Sequence, residues 1–101
     1  MSLGVAMRFT WDSNKNRRNK RVHGIDFGDA ARIFEGSTLE VLDDREDYGE
    51  TRILAFGQIG NTIVAVVYTD RNDDERRIIS ARKARADEVR AYYEAIHGKG
   101  W

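Results

Sequence analysis

The 101-residue chain contains no cysteine and no proline. Without thiols there is no disulfide and no thiolate metal site. Without proline no stiff linker marks a domain boundary. The two histidines, His23 and His97, are too far apart for metal-ligand spacing, so neither a zinc or iron centre nor any other cofactor is expected. No apolar run approaches the ~20 residues that span a bilayer. Met1 to Met7 lacks the basic start and sustained apolar stretch of a signal peptide, and a cytoplasmic protein with no membrane partner is expected. A Walker loop, a nucleotide-binding glycine fingerprint and a serine-hydrolase elbow are all missing.

What is present suits one soluble domain. Aliphatic and aromatic residues make up 41% and charged residues 34%, too apolar a balance for a disordered chain. The regular pattern starts at Arg8. The domain is therefore expected over residues 7–97, with 1–6 either an added stretch or a disordered N-terminus and 98–101 a tail.

The net charge is zero, but the charges are segregated. Arg8, Lys15, Arg17, Arg18, Lys20 and Arg21 face only Asp12 in the first block. Glu40, Asp43, Asp44, Glu46, Asp47 and Glu50 face only Arg45 in the second. Arg76, Arg77, Arg82, Lys83 and Arg85 form a third block with no acid. Such blocks either build local fields or form solvated faces and loops.

The periodicity predicts an α+β fold. A short strand over Arg8–Trp11 leads to Asp12 and Ser13, both good helix N-caps. A polar helix follows to about Val22 and stops at Gly24. A second helix starts at Asp26, with Phe27, Ala30, Ala31 and Phe34 on one face. Leu39 to Leu42 suggests a strand and Asp43 to Glu50 an acidic loop. Arg52–Gln58, Thr62–Thr69 and Arg76–Ala81 then read as an antiparallel meander, turning at Gly60-Asn61 and at Asn72-Asp73-Asp74. Ala84–His97 closes the chain as an amphipathic helix. The expected sheet is antiparallel, with about three to four strands, two N-terminal helices and a C-terminal helix.

The segment Arg77-Ile78-Ile79-Ser80-Ala81-Arg82 concentrates the chemistry. Strict alternation puts Arg77, Ile79 and Ala81 on one face and Ile78, Ser80 and Arg82 on the other. Each face then carries both an arginine and an isoleucine, which is no clean inside and outside. Guanidinium donates paired hydrogen bonds to phosphate, and Ser80 adds a neutral donor. The alternative is pairing of Arg77 and Arg82 with carboxylates such as Glu50 or Glu88. His23 either transfers protons or answers the negative end of the first helix. Tyr68 and Trp11 either stack on bases or pack in the core.

Together these residues resemble the BrnT family of type II toxins. The resemblance runs from about Phe9 to Tyr93. It rests on Trp11-Asp12 with Lys15 and Asn19, His23-Gly24 with Phe27 and Ala31, and Glu50 with Arg52. Val66-Val67-Tyr68, Arg71 and the Arg77 to Arg82 segment, followed by Ala84, Glu88 and Tyr92, complete it. Val22 stands where the family usually has a lysine before His-Gly, and Lys20 and Arg21 are out of register. The resemblance implies a RelE-like toxin fold and metal-independent RNA cleavage that inhibits translation. It also implies a BrnA-like ribbon-helix-helix antitoxin, typically in a 2:2 complex, which touches DNA on the toxin's behalf. Within that reading Arg77 and Arg82 carry the transition-state charge, with His23 as the proton-transfer group. Lys15, Arg71 and Ser80 bind phosphate, and Glu50 and Tyr68 are further proton-transfer candidates. The rival classes are a non-catalytic nucleic-acid-binding module and a protein-interaction domain.

Overall fold

The Asp12 carboxylate accepts the amides of Asn14 at 2.8 Å and Lys15 at 3.0 Å. That satisfies two orphan donors of a first helical turn. The computed structural model describes residues 7–98, so the expected added or disordered stretch over 1–6 and most of the expected tail lie outside the described residues. Helix α1 spans Ser13–His23 and ends at Gly24, whose φ of 73° is the left-handed position that glycine occupies without strain. Asp26 caps the next helix, α2 (Phe27–Ala30), which tightens at once into a 3-10 helix over Ala31–Glu35. The single helix expected from Asp26 to Phe34 is thus two short pieces. Helix α3 spans Ala86–His97.

The five strands are β1 (Arg8–Thr10), β2 (Leu39–Leu42), β3 (Ile53–Ile59), β4 (Thr62–Asn72) and β5 (Glu75–Lys83). Their order across the sheet is β1-β5-β4-β3-β2. The meander β3–β4–β5 is antiparallel, as its sequence indicates, and β2 extends it antiparallel along β3. The expectation of a purely antiparallel sheet of three to four strands is incorrect. The sheet has five strands and is mixed, because β1 pairs parallel with β5 from Arg8↔Glu75 to Thr10↔Arg77. Thr10 also donates its hydroxyl to Glu75 at 2.8 Å. A three-residue strand has too little pattern of its own to announce a partner so far along the chain.

Two cores lie on opposite faces of this sheet. On one face Phe27, Ala30 and Ile33 pack on Ala55, Val64, Val66, Tyr68, Ile78 and Ala81. Gly57 lets the 3-10 helix sit directly on β3: a Cβ there would meet the Ile33 Cβ at 2.5 Å. On the other face Tyr92 of α3 packs with Phe56, Ile63 and Ala65. The Tyr92 hydroxyl donates to the Ser37 carbonyl at 3.0 Å.

One polar contact locks α1 to the sheet. β1 covers β5 only as far as Arg77. Beyond it the edge of β5 meets α1, where the buried Asn19 side chain acts as a peptide group would. Its amide donates to the Ala81 carbonyl at 2.8 Å, and its oxygen accepts the Ala81 amide at 3.2 Å. The same amide also donates to the Ile25 carbonyl at 2.9 Å. Asn19→Ala strands these groups in a site too enclosed for easy hydration. It is expected to cost on the order of 2–4 kcal/mol, read by urea unfolding. A loss under about 0.5 kcal/mol would mean that water replaces the side chain and that the lock is weak.

Candidate nucleic-acid interface

The arginine strand does not alternate strictly. Along β4, Val67 faces Ser80 and Tyr68 faces Ile78, so Ile79 is an extra residue in the ladder. A bulge of this kind reverses the facing of everything beyond it. Ile78 and Ala81, three residues apart, therefore both point into the first core, 1% and 0% exposed. Arg77, Ser80 and Arg82 all turn to the opposite face, each half-buried. The division of this segment that alternation predicts is incorrect: Ile78 and Ala81 share one face, and Arg77, Ser80 and Arg82 share the other.

The two arginines on that face differ. Arg82 donates both terminal nitrogens to Glu88, at 2.8 and 2.9 Å, and one of them also reaches the Lys83 carbonyl. Glu88 further accepts the Arg85 amide at 2.8 Å, at the start of α3, and contacts the Arg85 guanidinium at 3.0 Å. The Arg82 hydrogen bonds, with help from the Arg85 amide and both charges, hold the Glu88 carboxyl down at about 2. Pairing with Glu88, one of the alternatives posed by the sequence, is what the structure shows for Arg82. The Arg77 side chain makes no hydrogen bond or ion pair among the described residues. Its charge is felt at Asp12, whose carboxyl is held below its ordinary range first by the Lys15 amide, then by the Asn14 amide and by the charges of Arg77 and Lys15.

Beside Ser80 the Asn19 lock brings one side of α1 against β5. Lys15, Arg18, Asn19, Val22 and His23 line a hollow of about 240 Å³ with Ile79 and Ser80. The spacing of Lys15, Arg18, Asn19 and Val22 is that of one helical face. Lys15, Arg18 and His23 form no ion pair or hydrogen bond through their side chains among the described residues. Val22 is 64% exposed, so this wall of the hollow is apolar. Arg18 was not singled out from the sequence. The signal was its position one residue before Asn19, but the role of Asn19 is visible only in three dimensions.

Three other sequence candidates lie elsewhere. Glu50, Tyr68 and Arg71 line a separate hollow of about 530 Å³ with Thr69 and Asp70. Glu50 pairs with Arg52 at 3.1 Å. Tyr68 is 3% exposed and donates its hydroxyl to Glu40. Burial first, and then Glu40, push the Tyr68 phenol well above its usual range. The Arg76 guanidinium lies 4.0 Å over its ring, with Phe34 edge-on at 5.2 Å. Trp11 meets Phe27 edge-on. Both aromatics thus pack with the core instead of offering an open stacking surface. Among the described residues no group of three or more histidine or acidic side chains is placed to hold a metal ion. None of their helices is long and apolar enough to cross a membrane.

Fold and site together define an α+β domain with a cationic sheet face, a form suited to binding phosphate. The family model described as "Ribonuclease toxin, BrnT, of type II toxin-antitoxin system" matches residues 11–88. The chain belongs to this BrnT family. It is also similar to the crystal structure of the Brucella abortus ribonuclease toxin BrnT. The TM-score is 0.61 and the identity 27%, over 79% of this chain and 99% of that one. No curated protein matches the chain significantly.

The Glu88 clamp makes stability depend on pH. The folded carboxyl lies at about 2 against an ordinary 4.5, so its contribution is present above pH 4.5 and is lost as pH falls toward 2. The difference corresponds to about 3 kcal/mol. Glu88→Gln is expected to lower stability at pH 7 and to flatten the acid limb in urea unfolding between pH 5 and 2. An unchanged acid limb in that variant would assign the acid sensitivity to other carboxylates.

Proposed function

We propose that the chain is an endoribonuclease toxin that cuts RNA without a metal ion, on the β5 face carrying Arg77, Ser80 and Arg82. The observation that carries this reading is the Ile79 bulge, which puts those three side chains on one face, with Ser80 in the hollow that Lys15, Arg18 and His23 also line. In the proposed reaction the RNA 2′-hydroxyl attacks the adjacent phosphorus and the 5′-oxygen departs. A cyclic phosphate and a free 5′-hydroxyl result. The step needs a base, an acid and cations for the phosphoryl oxygens. Arginine stays protonated, so it supplies charge and not proton transfer.

Arg77 is the principal phosphate cation because no carboxylate answers it directly. Lys15 and Arg18 extend its field, and Ser80 donates a neutral hydrogen bond. Arg82 has both terminal nitrogens on Glu88 and keeps its Nε–H and one terminal N–H for a ligand, so it contributes a fixed edge and braces α3. His23 transfers the proton. Glu50, Tyr68 and Arg71 take no step, since they gather around a different hollow. As a RelE-like toxin the protein would cut RNA, inhibit translation and act in the cytoplasm. A BrnA-like ribbon-helix-helix antitoxin would neutralise it in a 2:2 complex and supply the DNA contacts. The unit that acts is the single domain over 7–97.

The test is cleavage of single-stranded RNA by antitoxin-free protein in EDTA. Arg77→Ala is expected to cut at least ~100-fold more slowly while unfolding normally, and His23→Ala to lose a similar factor. Arg82→Ala is expected to lose both cutting and stability. A substrate with 2′-deoxyribose at the cut site should survive. A strict need for magnesium, or full activity in Arg77→Ala, overturns the mechanism. Tight RNA binding with no product would make the protein a binding module.

A further inference from the structure

Strand β2 is an open edge of the sheet, and its composition is unusual for one. It pairs with β3 on its inner side and ends the sheet on its outer side. Edge strands are ordinarily protected against pairing by lysine, proline, a bulge or a covering element. β2 reads Leu-Glu-Val-Leu and has none of the first three. Three of its four residues are exposed, Val41 at 45% and Leu42 at 60%. Val41 lies opposite Leu54 and Leu42 opposite Ile53, so the two exposed side chains stand on opposite faces of the edge.

The phase of the ladder fixes which backbone groups are open. The Asp43 amide donates to the Arg52 carbonyl at 2.8 Å, which makes the Asp43–Arg52 pair a hydrogen-bonded one. Pairs then alternate in an antiparallel ladder. Val41 and Leu39 point their backbone groups inward to β3, and Glu40 and Leu42 point theirs out. An added strand would find those N–H and C=O groups ready, with Val41 and Leu42 above and below.

Charge selects what can be added. The acidic block follows β2 immediately. Arg45 answers Asp43 and Arg52 answers Glu50, but Asp44, Glu46 and Asp47 are exposed and without an ion pair among the described residues. A second copy would offer this edge no basic side chain from its own β2, which reads Leu-Glu-Val-Leu, and nucleic acid would be repelled. We infer that β2 is a docking edge for an extended, basic segment of another protein, which adds as a sixth strand and sets apolar side chains on Val41 and Leu42. Main-chain bonds supply affinity in this mode, and the side chains and charges supply selectivity. The inference does not depend on RNA cleavage, because this edge and the β5 face are at different places in the sheet.

The probe is a short blocked peptide of alternating lysine and valine, with an alternating glutamate and valine peptide as control. The readout is amide exchange and chemical shift in the full chain. Binding of the lysine peptide should protect the Glu40 and Leu42 amides and weaken at least ~tenfold between low salt and 0.5 M salt. Leu42→Pro removes only an outward N–H, so the inner ladder and RNA cutting are retained while peptide binding is lost. Asp44→Asn with Asp47→Asn should weaken binding and reduce its salt dependence. No binding by about 1 mM peptide, equal binding of the glutamate peptide, or full binding in Leu42→Pro would overturn the proposal. Concentration-dependent protection of the same amides without peptide would assign the edge to a second copy instead.

Discussion

The paired hydrogen bonds between Asn19 and the Ala81 backbone hold this molecule in its working shape. A sheet edge must be paired, covered or solvated, and β1 runs out at Arg77. From there a single carboxamide takes the place of a neighbouring strand. It fixes both the distance and the rotation of α1 against β5. The rotation decides which side chains of α1 meet the strand, and so why Lys15, Arg18 and His23 share a hollow with Ser80.

The bulge at Ile79 does the complementary work on the strand. Without it Arg77 and Arg82 would lie on opposite faces of β5, one of them turned toward the first core. With it, Ile78 and Ala81 seal one face while Arg77 and Arg82 share the other. Glu88 then separates the arginines by role. It ties Arg82 to the first turn of α3, where the same carboxylate accepts the Arg85 amide. The fold thus uses one arginine to dock a helix and leaves the other without a carboxylate partner among the described residues, a division that neither residue's identity reveals.

Local chemistry made much of the fold legible. Asp12, Gly24, Asp26 and Gly60 mark caps and turns where their backbone preferences require them, and the β-branched run of Val64 to Tyr68 marks the central strand. What escaped is what depends on distant partners. The parallel pairing of β1 needs β5, more than sixty residues on. The second helix looked continuous because Phe27, Ala30, Ala31 and Phe34 fit one period, yet the chain tightens at Ala31. In the candidate site, the residue types of the arginine strand were readable, but their facing was not, because a bulge leaves no mark in a short run of mixed residues. Tyr68 and Glu50 looked like chemistry and prove to be packed or paired.

The central claim is that RNA lies on the bulge-defined face of β5. The most direct measurement is an NMR titration of the intact chain with a single-stranded oligonucleotide whose 2′-O-methyl riboses block cutting. Resonances of the Arg77 side chain, the Ser80 amide and the His23 ring are expected to shift together. Arg76, on the opposite face and paired with Asp70, is expected to stay in place. Shifts centred on Arg76 and Phe34, with Arg77 and Ser80 unmoved, would place the RNA on the wrong side of the sheet and contradict the claim.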